Sequence, residues 1–267
     1  MDTRPPFLFA SVEQLEREAT RQESLAVLPE MTNISEHTEE LPGGRTARMR
    51  RFDPGAGSAT PPAAAVLMGP AVQRRSEIDD SFSRFMAEAV GLPVVSVHER
   101  HATTPMDRDW ITSWWRWCSE SGGEIGLDPA SIVLLARGEY CGPLLNAVST
   151  LGAAGRPRPA GQFLLCGDFS DVDPSLVHAL SRDVRALPPT YIATSSVGSE
   201  RTRSRRMSAY LLDHDIECWY VEWPGVTARC LDSIDRVPEM ERYIDAMVVT
   251  LRGLLSIAPQ SRTGAPS

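Results

Sequence analysis

From about residue 63 onward, apolar positions follow two alternating rhythms. Continuous apolar runs of strand length recur at 63–68, 92–97, 131–136, 162–166, 190–194 and 216–223. Between them the apolar residues fall at helical spacing: Ile78, Phe82, Phe85, Met86 and Ala89 within 77–90, and Trp110, Trp114, Trp115 and Trp117 within 107–121. Further helices are predicted at 173–186, 200–213 and 237–257. Strands that read as unbroken apolar runs are covered on both faces, and strands separated by helices build parallel βαβ units with right-handed crossovers. The expected architecture is α/β, a mostly parallel doubly wound sheet with helices on both faces. Upstream, 33–39 and 45–52 read as a hairpin joined through Pro42-Gly43-Gly44, and 11–28 reads as a peripheral amphipathic helix closed by Pro29. The expected division is 1–32 as an N-terminal helical or cap segment, 33–258 as one α/β domain, and 259–267 as a disordered tail.

Composition agrees with this and narrows the function classes. At 267 residues, 42% hydrophobic and 23% charged, the chain can bury one large core. A formal net charge of −8 argues against a nucleic-acid surface, which needs a concentrated basic field. The arginine clusters (Arg45, Arg48, Arg50 and Arg51, then Arg74 and Arg75, then Arg201, Arg203, Arg205 and Arg206) read mostly as solvated faces. The basic residues include no lysine, a bias expected of a GC-rich bacterial gene. Five cysteines with no C-x-x-C pair favour a reducing compartment. No apolar run reaches the roughly 20 residues of a membrane span, so the expectation is a cytoplasmic protein without a membrane partner.

One motif stands at the junction of the third apolar run and its helix. Gly138-Glu139-Tyr140-Cys141-Gly142 has the frame of a nucleophile elbow, G-x-S-x-G, with tyrosine in the serine position. The run Ser131-Ile132-Val133-Leu134-Leu135-Ala136 precedes it, and Leu144, Leu145, Ala147, Val148 and Leu151 follow at helical spacing with Gly152 as the expected stop. The order is strand, tight glycine turn, helix.

Together with Val94-Val95-Ser96-Val97 and Arg100, Leu127-Asp128-Pro129, Leu187-Pro188-Pro189 and Trp223-Pro224-Gly225, this motif resembles the α/β-hydrolase fold, and most closely its hormone-sensitive-lipase-like esterase branch. The likeness spans about residues 34 to 257 and implies a catalytic edge with a reduced cap. Carried over position by position, the family's oxyanion loop falls on Met68-Gly69-Pro70-Ala71, where Pro70 has no N–H to donate. The nucleophile falls on Tyr140, the acid on or near Gly198, and the general base on Ala228. The resemblance therefore implies a degenerate triad, and a set that works as a unit does not survive the loss of all its members.

The remaining polar groups at that edge are candidates for other chemistry. Tyr140 is a phenol able to donate a hydrogen bond or act as acid or base, and His98 and His101 follow the run ending at Val97, so they are expected on a loop rimming the same crevice. Gly69, Pro70, Ala71, Glu139, Cys141, Gly198 and Ala228 would line it. No metal or cofactor is expected, since His98-Glu99-Arg100-His101 lacks the i, i+4 spacing of a helical zinc pair. The leading expectation is a repurposed non-hydrolytic enzyme of cyclase, lyase or isomerase type in bacterial specialised metabolism, such as antibiotic biosynthesis. It would act on a small-molecule or carrier-bound ligand. The alternative is a non-catalytic pseudohydrolase that binds a small ligand or stabilises a partner enzyme, and the third is a weak esterase. A homodimer through the last strand and helix is the assembly to look for.

Overall fold

The computed structural model describes residues 33–54, 65–68, 73–99, 107–170, 172, 187–233 and 238–257. The predicted segments 11–28, 173–186 and 259–267, together with Gly69, Pro70, Ala71 and His101, lie outside these residues. The strands are β1 (Asn33–Leu41), β2 (Arg45–Asp53), β3 (Ala65–Met68), β4 (Val94–Glu99), β5 (Val133–Arg137), β6 (Gly161–Leu165), β7 (Thr190–Ser195) and β8 (Cys218–Trp223). The helices are α1 (Gln73–Val90), α2 (Arg108–Ser121), α3 (Cys141–Ala153), α4 (Glu200–Asp213) and α5 (Pro238–Ile257).

One eight-stranded sheet runs in the order β1-β2-β4-β3-β5-β6-β7-β8. The β1–β2 hairpin and the β2–β4 pair are antiparallel, and every pair from β4 to β8 is parallel. Because β3 sits between β4 and β5, the direction of winding reverses there, and the crevice beyond the carboxyl ends of β3 and β5 is where doubly wound sheets bind ligands.

Alternation along each buried strand divides the core into two layers. Val95, Val97, Leu134, Ala136, Leu164 and Ile192 point into one layer with Trp110, Trp114 and Trp115 of α2, Leu144, Leu145 and Val148 of α3, and Leu211 of α4. Val94, Val133, Leu135, Phe163, Tyr191 and Ala193 point into the other, with Phe82 and Met86 of α1 and Ile244, Met247 and Leu251 of α5. Trp110, Trp114 and Trp115 are thus core, and Trp117 packs half-buried against them. Asp107 caps α2 by accepting from the Trp110 N–H at 2.7 Å, and Arg45 binds both Asp107 and Glu99, fixing the hairpin to the start of that helix.

Among the boundaries that differ from expectation, two bear on the site. Helix α3 runs through Gly152 to Ala153, because its buried face through Leu151 outweighs the cost of one glycine. Strand β4 continues two residues past Val97, held by pairing of Arg48 with His98 and Ala47 with Glu99. That extension changes where His98 points.

Candidate functional site

The elbow is built by its two glycines, each for its own reason. Gly138 has φ +54°, which an L side chain adopts only at a cost, and it starts a single 3-10 turn over Gly138–Tyr140. At Gly142 a Cβ would stand 3.1 Å from the Asp168 carbonyl oxygen, so the loop after β6 can lie directly on the start of α3. The Asp168 N–H also donates to the Gly138 carbonyl at 2.9 Å. The middle residue is relaxed: Tyr140 has φ −84° and ψ −12°. The strained backbone of a nucleophile elbow is therefore not present at this position.

Tyr140 is 5% exposed and belongs to the tryptophan-rich layer. Cys141 is fully buried, its Sγ 3.4 Å from the Ala136 carbonyl, and burial pushes its thiol well above the ordinary range. Burial likewise pushes the Cys166 thiol up to about 12. Neither is a thiolate near neutral pH, so neither offers a displaced nucleophile. Glu139 is exposed at the turn.

The loops after β7 and β8 face the elbow from the same sheet edge. Gly198 lies two residues before Glu200, whose carboxylate folds back so that a Cβ on Gly198 would collide with it. Glu200 Oε1 is buried with no hydrogen-bond partner among the described residues. A carboxylate thus stands where a side chain at 198 would have gone. Sequence reading missed it because the displacement is two residues along the chain, and only the chain's return over Gly198 reveals it. Ala228 opens a 3-10 segment, Ala228–Ser233, and brings no ionisable group.

A hydroxyl joins these two loops. Ser195, fully buried, donates to the Val226 carbonyl at 2.6 Å and accepts from the Val197 and Gly198 N–H groups at 3.1 Å each. In a working triad the carboxylate orients the histidine across this gap. Here the link holds backbone to backbone.

His98 is a strand residue rather than a loop residue. Since Val94 faces α1 and α5, alternation sends Ser96 and His98 to that face, whereas Tyr140 sits in the opposite layer. His98 is 4% exposed, with Nε2 3.2 Å from the Ser96 Oγ. The structure does not bring Tyr140 and His98 together. Among the described residues no group of three or more His, Cys, Asp and Glu side chains is placed to hold a metal ion, and no helix is long and apolar enough to cross a membrane.

A cavity of about 410 Å³ opens beside the elbow helix. Phe169 and Val172, from the loop that lies on Gly142, form one wall, and Arg203, Arg206, Met207 and Tyr210 of α4 form the other. No signal in the sequence singled this cavity out, because the two walls lie more than thirty residues apart.

Solved structures match this fold over nearly its whole length. A thermostable esterase from Pseudomonas putida superposes with a TM-score of 0.69 at 13% identity, covering 91% of this chain and 89% of its own. An α/β hydrolase enzyme from the metagenome of Lake Arreo, Spain, gives 0.70 at 18% identity, covering 93% and 92%. The hyperthermophilic esterase from the archaeon Pyrobaculum calidifontis gives 0.69 at 16% identity, covering 91% and 90%. No family model and no curated protein matches the sequence. The chain has the α/β-hydrolase fold, and its structural neighbours include esterases.

Proposed function

We propose that this protein is a non-hydrolytic member of the fold that binds a small molecule rather than turning over esters. The observation that carries the reading is Tyr140: the elbow's central side chain is packed into the core, on a relaxed backbone, where a nucleophile would have to be presented. Gly198 and Ala228 supply neither acid nor base, and the serine tie at Ser195 gives their loops a structural role. A pairing of Tyr140 with His98 loses support because the two belong to opposite layers, and His101 lies outside the described residues. A small-ligand binder needs none of these groups to meet.

The test is direct. Purified protein is assayed with p-nitrophenyl butyrate and treated with a fluorophosphonate probe. Hydrolysis at the buffer rate and no covalent adduct by mass spectrometry are expected. Stoichiometric labelling of any residue from Gly138 to Gly142 would overturn the proposal. The second reading, a weak esterase, is favoured by the esterase neighbours, and the same assay decides for it if turnover appears and is lost in Tyr140→Phe.

A further inference from the structure

We infer that the cavity between the Phe169–Val172 loop and α4 is a binding site for a small amphiphilic carboxylate, an acyl or aryl acid carrying one negative charge. This inference rests on the binding reading above and gives it a site and a ligand class. The cavity, about 410 Å³, is of the size that encloses a small organic ligand. Its walls are chemically divided. Phe169 and Val172 are buried residues of the core layer, and Met207 and Tyr210 are half-buried beside them, so the deep part presents apolar and aromatic surface. Tyr210 is further held by stacking on His214, ring centroids 4.1 Å apart. Arg203 and Arg206, both exposed, line the cavity on its outer side.

Helical geometry puts these groups together. Positions 203, 206, 207 and 210 are spaced i, i+3, i+4 and i+7, one face of α4, while Ser204, Ser208 and Leu211 face the protein. The charge balance then selects the ligand. Arg201 and Arg205 are directed to Glu222, and Arg203 binds Asp168 at 2.9 Å. No described carboxylate pairs with Arg206, which is exposed at the cavity. Among the described residues, one guanidinium without a carboxylate partner stands at an apolar chamber, which fits one carboxylate with an apolar body, and its planar fork can engage both oxygens. Asp168 disfavours a more highly charged anion at the same rim.

The probes are 4-phenylbutyrate and octanoate, with 4-phenylbutanamide as the uncharged match, titrated by isothermal calorimetry and ligand-observed NMR. Wild type is expected to bind both acids, with the amide weaker by about tenfold or more, equivalent to about 1.4 kcal/mol. Arg206→Gln is expected to weaken the acids by a similar factor and to leave the amide unchanged, whereas Arg116→Gln, at an exposed position on α2, changes neither. Absence of binding by both acids at about millimolar concentration, equal binding of acid and amide, or unaltered acid binding by Arg206→Gln would overturn the inference. The acid–amide comparison uses wild type alone, so it stands even if a variant misfolds. A silent ester assay with no acid binding removes this site and leaves the non-hydrolytic reading intact. Fluorophosphonate labelling removes that reading without altering these titrations.

Discussion

The elbow and the two loops that face it are held in place by different means. At the elbow the backbone path is kept by Gly138 and Gly142, and the side chain between them has been drawn into the core. In the loops Gly198 and Ala228 carry no ionisable side chain, and the Ser195 hydroxyl ties the loop after β7 to the loop after β8. The elbow is filled and the loops are bolted. A site can therefore keep its outline while each part of it acquires a structural reason to stay as it is.

The comparison predicts an ordered series of effects. Tyr140→Ala should cost most, about 3–4 kcal/mol of unfolding free energy in urea, because it empties a core position, while Tyr140→Phe should cost no more than about 1.5 kcal/mol. A small loss in Tyr140→Ala would mean that the ring is not core, and the elbow would be a presented site after all. Ser195→Ala comes next at about 2 kcal/mol, since it strands the buried Val226 carbonyl and releases two part-buried N–H groups. It should also speed amide exchange at Val197 and Gly198 relative to β7. Gly138→Ala should cost about 1–2 kcal/mol for its left-handed backbone.

The smallest effect concerns Asp168. Burial acts to raise its pKa, but bonds from the Ser170 N–H and hydroxyl and the Arg203 guanidinium more than offset this, and the carboxyl lies below the ordinary range. A depressed folded pKa contributes stability above the unfolded pKa, and that contribution disappears as pH falls through the folded one. The side chain is 42% exposed, so the loss between about pH 5 and about pH 2 should stay under about 1 kcal/mol. Urea midpoints of wild type and Asp168→Asn should converge at the acid end.

Most of the fold was legible because its signals are local. Unbroken apolar runs gave the inner strands, the spacing of Trp110, Trp114 and Trp115 gave α2, and Pro42-Gly43-Gly44 gave the hairpin turn. The site was less legible because its determinants are relations between segments. His98 looked like a loop residue since the apolar run stops at Val97, but pairing with β2 carried the strand two residues further and alternation turned the ring toward α1. Glu200 gave no sign of replacing a side chain at 198. The cavity needed α4 and the Phe169–Val172 loop to meet.

Glu200 also sets the terms for any redesign at position 198. The space an aspartate at 198 would need is already occupied by a carboxylate anchored on the next helix. An aspartate placed at 198 would therefore share that space with Glu200 unless the Glu200 side chain swings aside. Glu200→Ala, made together with Gly198→Asp, gives the new carboxylate that space to itself.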